Sequence, residues 1–206
     1  MDRRLACAAL ILIGPLALVF RALTQWLPPV SGFALGLALY WLLLGLALWL
    51  RPGWSLRLRP PGAVAIMGFA LLLVLAAPVG LPALARLSPQ VLAVVVLSAT
   101  LNGVLEEAFW RGAMMPRARG WGDSVAPGTI FVLWHLAPLA GAVAFLPATV
   151  ATVQLLGGAA LLALPATAAR LRGGSAGSGA LGHALVNLLT FAAVAAHPPG
   201  HGAGFP

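Results

Sequence analysis

Acidic side chains are nearly missing from this 206-residue chain: Asp2, Glu106, Glu107 and Asp123 are all it has, and lysine is absent. Charged residues make up 8% of the sequence, against roughly 25% in an ordinary soluble domain, while 61% is apolar. Such a composition excludes a water-soluble fold. It leaves room for a single membrane-embedded domain over residues 1–206 and little else. The lone cysteine, Cys7, excludes an internal disulfide. The formal charge of +8 comes entirely from arginine, with no basic run interleaved with aromatics, so no nucleic-acid partner is expected.

What the chain has is long apolar runs. The first, from Leu5 to Leu27, follows Arg3 and Arg4 as a signal peptide would. It exceeds an h-region of about 7–15 residues and no small-residue cleavage site follows, so it is expected to be a retained first span. A helix needs about 20 mainly apolar residues to cross a bilayer. Seven segments meet this: roughly Leu5–Leu27, Phe33–Leu50, Ala63–Leu84, Val91–Trp110, Val125–Phe145, Leu146–Leu164 and Gly179–Ala196. Pro28-Pro29, Arg51-Pro52-Gly53, Pro60-Pro61 and Ser88-Pro89 punctuate them, and the fifth and sixth join at Phe145–Pro147 with almost no loop. Trp26, Trp49, Trp54 and Trp121 fall at segment ends, where indoles suit the headgroup layer.

Ten of the twelve arginines lie on one side of this alternation: at the N-terminus and in the second, fourth and sixth connections. Positive charge marks the cytoplasmic face, so the N-terminus is predicted inside and the C-terminus outside. The expected fold is therefore an all-α, multi-pass bundle of about seven transmembrane helices. Gly173–Gly179 reads as a flexible cytoplasmic connector, and the tail over about 197–206 as poorly ordered.

Few polar groups lie inside the spans, so each can be weighed singly. A carboxylate near hydrocarbon is costly and calls for a partner or a function. Glu107 and Arg111 are four apart on one helix face and can form a brace. Glu106 is turned about 100° away and has no partner on its own helix. His135 lies about 15 Å into the fifth span. A lone histidine there can simply bond a carbonyl, such as the one of Trp134 that Pro138 frees. His183 and Asn187, four apart, share a face and alone could be helix–helix glue.

Taken together, Glu106, His135, His183 and Asn187 come from three spans and a common depth. A carboxylate, two imidazoles and a carboxamide suit water activation and oxyanion stabilisation. Glu106, His135 and His183 would equally make a zinc set with an open position. No HExxH occurs to favour a local metalloprotease motif.

These residues resemble the motifs of the CPBP intramembrane proteases, the CAAX protease and bacteriocin-processing or Abi family. The family pattern is EExxxR, FxxxH and then HxxxN on successive spans. Here it reads Glu106-Glu107 to Arg111, Phe131 to His135, and His183 to Asn187, with Arg111-Gly112 a further match and Trp110 a departure from the usual Phe. The resemblance covers about Ser98 to Leu189. It implies that Glu106 activates water with His135, that His183 and Asn187 stabilise the oxyanion, and that Glu107 with Arg111 supports them. It implies an endopeptidase acting on a membrane-associated protein or peptide amid membrane lipid. No cofactor is then required, although zinc is also argued within the family. Small, myxosortase-like members that process C-terminal anchors are the closest in character. The Ala-, Leu- and Gly-rich composition points to a bacterial inner-membrane protein. Two other classes remain open: a non-catalytic scaffold or immunity protein of the same fold, and a small proton-coupled transporter, which also places Glu and His in a membrane.

Overall fold

The computed structural model of the chain describes residues 1–196, so the tail expected to be disordered lies outside the described residues. Those residues form helices joined by turns: α1 (Arg3–Trp26), α2 (Pro29–Leu50), α3 (Ala63–Leu84), α4 (Pro89–Glu107), α5 (Gly122–Trp134), α6 (Leu136–Ala142), α7 (Ala148–Thr152), α8 (Gly158–Gly173) and α9 (Gly177–Ala196). A π-helical turn, Ala108–Ala113, prolongs α4, and a second, Val153–Gly157, joins α7 to α8. Counting these continuations, seven helices are long and apolar enough to cross a membrane.

Local chemistry sets the boundaries. Asp2 caps α1 by accepting from the backbone N–H groups of Arg4 and Leu5 at 2.9 and 3.1 Å. Ser88 caps α4, with Pro89 at its first position. Gly174, at φ +67°, ends α8 in the left-handed conformation that a side chain disfavours. Ile11, Leu42, Val64, Val74 and Leu97 point outward, as a lipid-facing surface requires, while Phe20, Tyr40, Trp110, Phe131 and Trp134 fill the interior.

The sixth span differs from expectation: it runs to Gly173, nine residues past Leu164. Arg170 and Arg172 therefore stand in the last turn of a helix. Arg170 turns inward, donating from Nε to the Arg111 carbonyl at 2.6 Å and from Nη2 to the Met115 carbonyl at 3.0 Å. This satisfies carbonyls that the end of the π turn leaves open.

The glycine-rich connector also differs. Ser175, Ala176 and Gly177 are buried. The Ser175 hydroxyl and the Ala176 N–H both donate to the Ser55 carbonyl, at 2.8 and 2.9 Å. Glycine serves close approach here, because a Cβ on Gly177 would meet the Leu56 carbonyl oxygen at 2.2 Å. The connector is docked onto segment 51–62 instead of hanging free. Together with the Asp2 N–H bonded to the Met114 carbonyl, these contacts gather the N-terminus and the arginine-bearing segments at one end of the bundle.

Helix α9 packs against both α3 and α4. Gly103 makes the α4 contact close: a Cβ there would lie 2.7 Å from the backbone nitrogen of Ala184. That approach brings His183, the preceding residue, up to the end of α4 where the paired glutamates sit.

Candidate active site

Glu106 and Glu107 both lie in the interior, at 2% and 0% exposure, together with Arg111 at 1%. The expected brace is present, with Arg111 Nη1 donating to Glu107 Oε1 at 3.1 Å. The guanidinium carbon lies 4.2 Å from the centre of the Phe131 ring, a cation–π contact that adds to its anchorage. Both Arg111 and its neighbours Ala108–Ala113 belong to the π turn, a geometry common at functional sites.

Glu107 does more than pair with arginine. The same Oε1 lies 3.1 Å from His183 Nδ1. An ionised carboxylate only accepts, so His183 Nδ1 carries the proton of this bond. Its other nitrogen, Nε2, faces Glu106 Oε2 at 3.7 Å. One imidazole thus stands between the two glutamates.

His135 reaches the same oxygen from the far side, with Nε2 3.9 Å from Glu106 Oε2. A break in its helix sets its orientation. The His135 backbone N–H bonds the Val132 carbonyl, one residue short of the regular α-helical partner. This leaves the Phe131 carbonyl open to the histidine's own ring, which donates from Nδ1 at 2.8 Å. Nε2 of the neutral ring then presents its lone pair to Glu106. A bond to a carbonyl was the structural alternative for this histidine, and the acceptor is Phe131 instead of the Trp134 carbonyl considered for it.

Oxygen Oε1 of Glu106 accepts from the Tyr40 hydroxyl of α2. Oxygen Oε2 has no hydrogen-bond partner among the described residues. At 3.7 and 3.9 Å the imidazoles are too distant for direct bonds, and this spacing suits a bridging water.

Asn187, also expected here, sits one turn after His183 on α9. Its Nδ2 is buried and unpaired among the described residues, and no hydrogen bond joins it to Glu106, His135 or His183. It is an unpaired donor one helical turn from His183.

The fit of zinc can be judged from the donors. Two ligands of one tetrahedral zinc stand roughly 3.3 Å apart, about 2.0 Å from the metal. Both imidazoles lie farther than that from Glu106, whereas the His183 Nδ1 bond to Glu107 is one that a zinc-bound imidazole also makes. Among the described residues no group of three or more His, Cys, Asp or Glu is arranged to hold a metal ion.

Sequence reasoning missed Tyr40, the chain's single tyrosine, and Asn102, which accepts from the Trp41 indole N–H at 2.9 Å. Asn102 had a signal, since it precedes Glu106 by one turn on the same helix face.

Residues 88–189 match the family model described as type II CAAX prenyl endopeptidase Rce1-like. Through this segment the chain belongs to the Rce1-like family. The resemblance read from the three motifs is thereby met, and membership indicates a membrane protease whose substrates are membrane-associated proteins. The Rce1-like segment holds Glu106, Glu107, Arg111, His135, His183 and Asn187, whereas Tyr40 and Trp41 come from α2, outside it. No curated protein and no solved structure matched the chain.

Proposed function

We propose that the chain is an intramembrane endopeptidase in which Glu106 Oε2 is the general base for water. The observation that carries the reading is that this oxygen is buried and unpaired, yet faced by the Nε2 atoms of His183 and His135 at 3.7 and 3.9 Å. A water seated among the three atoms loses a proton to Oε2 as its oxygen attacks the scissile carbonyl. The tetrahedral intermediate carries an oxyanion, for which the free Asn187 Nδ2 is the available donor. Collapse expels the amine, which takes the proton back from Glu106 or through His135.

This division of labour departs in one respect from the one implied by the motifs. Bonded to Glu107 through Nδ1, His183 acts first as a bridge that orients Nε2 toward Glu106. It assists Asn187 only when Nε2 is protonated. Glu107 and Arg111 fix that imidazole. The chemistry needs no metal, and the donor spacing favours this version.

The arginine distribution favours an N-terminus on the cytoplasmic side, in a bacterial inner membrane. The end of the bundle that carries the arginines is also nearest the site: His183 lies about 9 Å into α9 from Gly177. Substrate cleavage is then expected in the cytoplasmic half of the bilayer. The single domain of 1–206 would carry the whole activity.

The test is cleavage by the purified chain in liposomes of two quenched-fluorescence peptides, one ending in a prenylated cysteine and one in an apolar anchor segment. Glu106→Gln and His135→Ala are each expected to lower kcat on the order of 10²–10⁴-fold, the usual worth of general acid–base catalysis. Undiminished cleavage by Glu106→Gln would sink the mechanism. Preference for the anchor peptide would favour the myxosortase-like reading of the substrate.

A further inference from the structure

We propose that Tyr40 is a positioning residue for Glu106, holding one carboxylate oxygen so that the other alone is free to take a proton from water. The proposal deepens the Glu106 reading above and rests on it. A glutamate side chain in an open cavity could present either oxygen, or rotate away, and would then share its charge between two competing sites. Here the two oxygens are unlike: Oε1 accepts from the Tyr40 hydroxyl, while Oε2 is unpaired and faces both imidazoles. A hydroxyl donating to a carboxylate forms a charge-assisted bond, stronger than one between neutral groups.

The surroundings of Tyr40 favour this direction of donation. The residue is 2% exposed, and its ring packs on Trp134 at 5.7 Å between centres, with Trp110 a further 5.8 Å from Trp134. The indole N–H groups of Trp110 and Trp134 are buried with no hydrogen-bond partner among the described residues. A carboxylate oxygen accepts and an indole cannot, so the acceptor available to the Tyr40 hydroxyl proton in this pocket is Glu106 Oε1. One residue on, the Trp41 indole bonds Asn102 at 2.9 Å, one turn before Glu106, so α2 and α4 are pinned in register at this level. In the proton transfer Tyr40 keeps its own proton throughout: Oε2 gains the one from water, and Oε1 remains an acceptor.

The rival account makes Tyr40 simple helix–helix glue, as Trp41 would be. Chemistry separates the two, because glue affects assembly whereas a positioning bond affects turnover and is sensed by Glu106. Tyr40 is the only tyrosine, so the chain grown with 3-fluorotyrosine gives a single assignable fluorine resonance in liposomes. That resonance is expected to move in Glu106→Gln and to stay in place in Asp123→Asn. On the peptides described above, Tyr40→Phe is expected to leave KM unchanged and to lower kcat on the order of 10–100-fold, as for the loss of a hydrogen bond to a charged group. Trp41→Phe, which removes the neighbouring bond, is expected to lower thermal stability and to lower kcat far less than Tyr40→Phe does.

A resonance indifferent to Glu106→Gln overturns the proposal, even if Tyr40→Phe fails to fold. Parental kcat in Tyr40→Phe, or an equal loss in Trp41→Phe, overturns it as well. Parental cleavage by Glu106→Gln removes the base and Tyr40's role with it. A resonance that still moves in that variant would show that the hydrogen bond exists and that the mechanism is what failed.

Discussion

His183 Nδ1 and Arg111 Nη1 meet on the same oxygen of Glu107, each at 3.1 Å. The second glutamate of the pair therefore joins a structural cation to an imidazole of the proposed site. It is expected to affect both folding and turnover.

The two effects can be separated by chemistry. Glu107→Ala leaves the Arg111 charge buried without its partner, which typically costs about 3–5 kcal/mol. Glu107→Gln keeps an acceptor for both donors but removes the charge, so it should fold better and still turn over more slowly. Arg111→Lys loses the planar group that lies over Phe131, and is expected to resemble Arg111→Ala more than the parent. The double change Glu107→Gln with Arg111→Met should be less destabilising than the two single changes added together. Thermal unfolding in detergent, read beside kcat, checks each point. Strict additivity would mean that the pair is not coupled.

Gly103 offers a purely steric test of the α4–α9 contact. Adding a methyl group 2.7 Å from the Ala184 nitrogen forces the helices apart, and overpacking of this kind costs typically about 1–3 kcal/mol. His183 moves with α9, so Gly103→Ala should lower kcat as well as stability. Gly128, with nothing within 4 Å of its would-be Cβ, supplies the control: Gly128→Ala should change neither strongly. Equal behaviour of the two variants would mean that the close approach does not position the site.

Legibility of these features followed from how local they are. Glu106, His135 and His183 were recognisable because each is a polar group in an apolar run, and lipid makes such residues expensive. The Glu107–Arg111 brace needed only helical spacing. Tyr40 was not recognisable as a partner of Glu106, because 66 positions separate them and only the meeting of α2 with α4 brings them together. The π turn and the shortened bond at His135 leave no periodic trace, since their cause is tertiary packing. The connector misled for a different reason. Glycine and serine raise chain entropy, but they also permit close approach, and composition alone does not separate the two uses.

That connector gives a third prediction. Gly177 stands where a Cβ would strike the Leu56 carbonyl, and Ser178 accepts from the Arg59 N–H at 3.2 Å. Gly177→Val should therefore lift segment 51–62 off the bundle. Within it Arg51 and Arg59 each precede proline, which trypsin does not cleave, so limited digestion should cut the variant after Arg57 faster than the parent. An unchanged cleavage pattern would count against docking.

Metal dependence decides between two ways of activating the same water. The spacing of Glu106, His135 and His183 is wider than one zinc requires. Water activation by Glu106 alone predicts that the purified, active chain retains its turnover after dialysis against a strong zinc chelator. It also predicts less than one metal per chain by elemental analysis of the active fraction. The reverse pattern, loss on chelation with recovery on adding zinc, would require the imidazoles to close in on a metal. It would also require His183 to give up its bond to Glu107 or to bind through Nε2 alone. Glu107→Gln discriminates between those arrangements. A metal site bound through Nε2 should weaken when the carboxylate that supports the imidazole is neutralised, since such partners typically contribute about 10–100-fold in affinity. Zinc affinity that is unchanged in Glu107→Gln would mean that the bridge between the glutamates has no part in holding the metal.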